Sequence, residues 1–317
     1  MEQQKNDLNL NRLRSSGAAI ADGYRLYMGN FRRILRSSWI HAIVYAVTLS
    51  FFTIIHISFI PAMSIMHYMK ASNEQMFSTL GQLMLLTLTA WILFILASTI
   101  IASTAFSALS EHQSTGAITA PFTWLGKLDT YMLGRMLKAV IGLGLLVTVA
   151  NVLVTAVGVG CIVYLGRMAG LVALGVLSLL FVAAIVPLGY PLTKYMLTPT
   201  ARLFPTLASA YPVGLRHWGD LFVVQLITAI VCMVLVFATE LPAVILTMAN
   251  VSSQMGTLTG DPTGMPEYMG WLTVVVCCIA GFIQAYVHMS ALFPLYYLYG
   301  SIETQENERK QTVNTQN

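Results

Sequence analysis

The sequence predicts an all-α membrane protein. The expected fold is a polytopic bundle of six transmembrane helices, joined by interfacial amphipathic helices and built on an internal repeat of two-span units. Three observations lead there. Charged residues make up only 9% of the chain, against about a quarter in an ordinary soluble domain. Six stretches, 39–60, 79–106, 139–165, 168–193, 221–249 and 271–299, are nearly free of charge. Each exceeds the roughly 20 residues that a helix needs to cross about 30 Å of hydrocarbon. Finally, of the 17 Lys and Arg residues all but Lys70 and Arg167 gather on one side of those stretches. Barrel strands would alternate over about ten residues, and no such alternation is present.

Residues 1–17 read as a flexible tail, 18–302 as a single six-span membrane domain and 303–317 as a second tail. The basic asymmetry places both tails in the cytoplasm. The first 35 or so residues lack the short apolar core of a cleavable signal peptide, so none is expected. The expected chain is a multi-pass membrane protein.

From about residue 18 to 36 the pattern is helical. Ile20, Tyr24, Tyr27, Phe31 and Leu35 form one apolar stripe at i, i+4, i+7, i+11 and i+15. Arg25, Arg32, Arg33 and Arg36 lie opposite. An aromatic face backed by arginines suits a helix lying in the headgroup layer, and those arginines suit anionic lipid. The bland alternative is a helix packed on the protein's own cytoplasmic parts.

GYRLYMGNF at 23–31 returns as GLRHWGDLF at 214–222, again just before a long apolar run. A looser third copy lies in 121–138, around Pro121, Trp124, Gly126, Lys127, Tyr131, Gly134 and Arg135. Together they suggest an interfacial helix followed by two spans, repeated in parallel topology. Chance remains open, because any entering chain favours Arg, Gly, Trp and Tyr at headgroup level. In the second copy Arg216 and Trp218 are the expected headgroup contacts. Pro205 suits a helix start, and Pro212 is expected to break or kink that helix.

The middle of the chain is rich in glycine (Gly142, Gly144, Gly158, Gly160, Gly166, Gly170, Gly175). Because small residues let helices approach closely, this hairpin is expected to be the packed middle of the bundle. Pro187 and Pro191 should bend or end the fourth span.

An ionisable residue inside a span is a functional candidate, which brings forward Glu240. Twenty residues from Asp220 is roughly 30 Å, the far interface, and Pro242 would then end the helix with 243–249 on the outer surface. On that reading Glu240 is an interfacial acid; with strong tilt it is buried and suited to proton or cation coupling. Asn151 and Gln284 lie nearer mid-membrane, Gln284 roughly 20 Å in from Trp271. They serve as interhelical glue or line a path.

No metal or other cofactor is indicated. No two histidines lie within ten residues of each other, so a metal site would need separate segments. The cysteines Cys161, Cys232, Cys277 and Cys278 all lie in apolar spans without metal or redox spacing. There is no nucleophile elbow or phosphate loop. ADGYR at 21–25 lacks the further aspartates of a CDP-alcohol phosphotransferase. TGD at 259–261 lacks the partner of an intramembrane aspartyl protease.

The layout, an Arg- and Gly-containing entrance, six spans and GLRHWGDLF before a late span, resembles uncharacterised bacterial integral membrane proteins. It is also similar to the membrane-anchor domain of some glycerophosphodiester phosphodiesterases. The resemblance implies a helical bundle in a bacterial inner membrane. The catalytic barrel of those enzymes has no counterpart here, so their activity is not transferred.

The functional expectation is a non-enzymatic transport-type or lipid-handling module. The alternative is a structural or accessory subunit of a membrane complex, and a third reading is a membrane-embedded metalloenzyme. The expected partners are the bilayer and its anionic headgroups, with no nucleic acid; a protein partner is not specified.

Overall fold

A computed structural model describes residues 10–68, 73–119, 129–258, 260, 264–266 and 268–316. Among the described residues there is no strand. The helices are α1 (Ser16–Tyr68), α2 (Asn73–Thr115), α3 (Thr130–Leu165), α4 (Arg167–Ile185), α5 (Gly189–Leu197), α6 (Leu203–Arg216), α7 (Trp218–Leu258), α8 (Tyr268–Ser290) and α9 (Leu292–Gln316). A 3-10 turn, Val186–Leu188, joins α4 to α5. Six segments are long and apolar enough to cross a membrane: Ser16–His56, Phe77–Thr115, Thr130–Tyr164, Arg167–Leu197, Trp218–Thr257 and Tyr268–Thr315. The six expected spans fall in register with them, and the fold is an all-α bundle.

The core lies where α1 meets α8 and α9. Helix α1 runs antiparallel to α8, with Ala46 against Gly281, Ser50 bonded to Cys278 at 3.3 Å and Ser38 to the Tyr286 hydroxyl at 3.4 Å. Lower down, Gly23 meets the backbone of Pro294, where an added Cβ would stand 2.5 Å from the proline nitrogen. That closeness is what an absent side chain permits. Tyr27 packs edge-on to Phe293 at 5.0 Å and Phe31 to Tyr286 at 5.6 Å; the Tyr27 hydroxyl donates to the Tyr286 carbonyl at 2.8 Å.

These contacts change the reading of the entrance. The segment 18–36 is not a separate helix lying flat; it is the first part of a single 53-residue helix. No proline interrupts its junction with the span at residues 36–39. Its aromatic stripe covers the protein's own aromatic residues on α8 and α9, which offer it a closer-packed partner than lipid.

Residues 10–15, expected as free tail, run against α9. Leu10 and Arg14 are buried, Ser301 exchanges hydrogen bonds with the Arg14 backbone at 2.9 and 3.1 Å, and the guanidinium lies 4.6 Å from the Tyr297 ring centre. The two end segments therefore meet at one end of the bundle. The expected 303–317 tail continues α9 as helix to Gln316.

The glycine-rich hairpin is not the packed middle. Helices α3 and α4 close on each other, with Gly158 against Leu174 and Gly170 against Ile162, and Gly166 at φ +87° makes the tight link. Most of the described Val and Leu side chains on them are exposed, and within the most apolar window of α3 no residue is buried. Glycine brings two helices together on one line of contact, whereas the surrounding Val and Leu residues point all round, as they do on a lipid-facing pair.

Asp129 caps α3, accepting from the Tyr131 and Met132 backbone N–H groups at 3.1 Å each. Of the third candidate entrance, residues 121–128 lie outside the described residues. Pro187 marks the expected bend after α4, whereas Pro212 stays inside α6.

Proline at 242 does not end its helix either. Helix α7 passes through it and continues to Leu258. A proline removes one N–H, while stopping there would leave several carbonyls without partners in an apolar setting. The residues 243–249 are therefore helix, and Glu240 stands near the middle of α7.

Candidate functional site within the bundle

One face of α7 presents Thr228, Cys232 and Glu240, spaced by four and eight residues, so all three lie on the side turned toward α1 and α8. Helix α8 answers with Gln284, His288 and Ser290. The Gln284 side-chain amide donates to the Glu240 carboxylate; Gln284 is buried and Glu240 half-buried. His288 Nδ1 lies 2.8 Å from the Gln284 carbonyl. A carbonyl can only accept, so this nitrogen carries a proton. The Tyr45 hydroxyl of α1 approaches the same Nδ1 at 3.5 Å.

Toward the basic end, Tyr24 neighbours Thr228 and Cys232, and Cys232 lies 3.7 Å from the Val287 carbonyl. The Tyr24 and Thr228 hydroxyl oxygens are buried and lie beside each other. The result is a line of polar groups between α1, α7 and α8, leading from Tyr24 to Glu240.

The expected site residues divide clearly. Glu240 and Gln284 come together, while Asn151 is exposed on α3, away from that pair. Arg25, Arg32 and Arg36 are exposed along α1, with Arg25 3.7 Å from Asp22. Arg33 donates to the Ile118 carbonyl at 3.0 Å.

Arg216 and Trp218 have partners within the protein. Arg216 bonds both Glu306 carboxylate oxygens at 2.8 and 3.0 Å, and the Trp218 indole N–H donates to the Ala183 carbonyl at 2.9 Å. His217 lies 3.3 Å from Glu306. Burial pushes the Glu306 carboxyl up, but hydrogen bonds and charge from Arg216 and His217 outweigh it and hold it below the usual carboxylate range.

Tyr24, Tyr45, Thr228, His288 and Ser290 are not among the site residues expected from the sequence. Tyr24 had been absorbed into the aromatic stripe. The spacing of Thr228, Cys232 and Glu240 on α7 was the available signal.

Among the described residues the histidines stay apart: His41 pairs with Thr104 at 3.3 Å and His112 with the Tyr296 hydroxyl at 2.9 Å. Among the described residues no three His, Cys, Asp or Glu side chains gather as a metal site would require.

The class that fold and site define is a multi-pass α-helical membrane protein. No protein-family model matches the chain, and neither a curated protein nor a solved structure does so.

Proposed function

We propose that this protein is a non-enzymatic transport-type module of a bacterial inner membrane, and that Glu240 is its proton- or cation-coupling group. The observation that carries the reading is the Gln284–Glu240 hydrogen bond. Gln284 lies in the middle of the apolar run 271–299, roughly 20 Å in from Trp271. Its partner must share that depth. A carboxylate there is expensive to ionise, so taking up a proton or a small cation is the chemistry it is suited to. The polar line from Tyr24 through Thr228 and Cys232 supplies a route from the basic end.

Basic asymmetry supports placing both termini in the cytoplasm, where Arg25, Arg32 and Arg36 meet anionic headgroups. Internal duplication is part of the proposal: Gly23 in the first entrance seats against Pro294, and Gly214 in the second against Pro187. The layout shared with phosphodiesterase membrane anchors is retained only as a proposed kinship of bundles.

The test has two arms. A hydrophobic carbodiimide, which modifies protonated carboxyls in lipid, should add one adduct on Glu240, absent in Glu240→Gln. In proteoliposomes with an imposed pH gradient, wild type should dissipate the gradient and Glu240→Gln should not. Equal fluxes in both proteins would sink the reading.

A second reading, an accessory subunit of a membrane complex, draws on the exposed apolar hairpin α3–α4. Crosslinking from Val152 and Leu180 in native membranes should then capture a stoichiometric partner. Labelling by lipid alone would reject it.

A further inference from the structure

The exposed face of α1 changes character along its length. Arg25, Arg32, Arg36, Trp39, Ile43 and Val47 follow i, i+7, i+11, i+14, i+18 and i+22, which places all six on one stripe. Each is exposed. The stripe is cationic below, carries an indole at Trp39 and is wholly apolar above.

The apolar end forms one wall of a groove of about 340 Å³ between α1 and α8, whose other wall includes Val275, Ile279, Phe282 and Ile283. No charged side chain lines it. Along α8 the groove runs from 274 to 283, roughly 14 Å, close to the roughly 15 Å depth of one leaflet's hydrocarbon.

We infer that this stripe is a specific binding site for one anionic glycerophospholipid, with its phosphate on Arg32 and Arg36 and an acyl chain lying in the α1–α8 groove. The occupant follows from charge complementarity and order. Guanidinium groups favour phosphate and bind it bidentately, an indole sits at the headgroup boundary, and an uncharged groove of one-leaflet length takes a chain. A soluble anion would leave the groove unused, and an apolar peptide would leave the arginines unused.

The site goes beyond the transport proposal. It rests only on the basic end of α1 lying at headgroup level, so the flux of the Glu240→Gln variant is independent of it.

The experiment is native mass spectrometry of the full chain, delipidated and titrated with palmitoyl-oleoyl phosphatidylglycerol or phosphatidylcholine. The expected result is one tightly held phosphatidylglycerol, weakened about five-fold by either Arg32→Gln or Arg36→Gln. Ile279→Trp, at a position 57% exposed, should fill the groove and weaken it as well. Arg33→Gln, on another face, should not.

Diazirine-acyl phosphatidylglycerol on the wild type should label 43–47 and 274–283. Three results would overturn the assignment: equal retention of phosphatidylcholine, equal weakening by Arg33→Gln with none by Ile279→Trp, or a dimer crosslinked through residue 279 in place of lipid.

Discussion

Gln284 on α8 donates its side-chain amide to the carboxylate of Glu240 on α7, and this single bond ties an acid to a partner 44 residues away that the sequence did not pair with it. A double-mutant cycle should show the two side chains coupled. Glu240→Gln and Gln284→Leu should each destabilise the protein in mild detergent. The combined change should fall short of their sum by about 1 kcal/mol, the usual scale for polar contacts between membrane helices. Additive effects would mean that the bond contributes nothing to folding.

Close helix contact makes a sharper prediction. At Gly23 a new Cβ would stand within 2.6 Å of the Pro294 Cα, whereas at Gly29 nothing lies within 4 Å. Gly23→Val should lower stability by about 1–3 kcal/mol through overpacking. Gly29→Ala should be neutral, or raise stability by up to about 1 kcal/mol through helix propensity. Thermal unfolding of the two variants side by side decides it.

Arg135 is buried and donates to the carbonyls of Tyr195, Thr198 and Pro199 at the C-terminal end of α5, over the Tyr195 ring at 4.2 Å. The helix's last carbonyls offset its charge. Arg135→Ala should cost about 1–3 kcal/mol by stranding those carbonyls. Arg135→Lys should recover only part, because an ammonium lacks the planar fork. Full rescue by lysine would show that charge alone matters.

Acid should loosen the end of α9. The Glu306 carboxyl is held below the usual carboxylate range, with Arg216 and His217 outweighing burial. A folded-state value below the unfolded one contributes stability above the unfolded value and loses it as pH falls through the folded one. Hydrogen exchange around residues 302–310 should therefore speed up as the medium is acidified below the usual carboxylate range, after correction for intrinsic exchange. Glu306→Gln should flatten that dependence.

Much of the architecture is legible in the sequence because it depends on composition over stretches of twenty residues. The six charge-poor runs are helices in the structure, since lipid-like surroundings leave the backbone no other local way to satisfy its hydrogen bonds. Pro187 after a helical run is read equally well, because bending acts within a few residues.

Tertiary structure decided what those helices do to one another. The stripe from Ile20 to Leu35 shows an apolar face, but periodicity is the same whether that face meets lipid or Phe293 and Tyr286. The glycines of α3 and α4 announce close contact without saying that the pair lies outside the core. Pro242 reads as a stop, yet the helix continues because the neighbouring carbonyls have no water to turn to. Glu240 becomes a site only when Gln284, more than forty residues away in sequence, arrives at the same level. Sequence by itself determined which segments are helical and apolar, because that is local thermodynamics. Which side chains meet was decided only by packing, because non-local partners and their depth leave no trace in spacing.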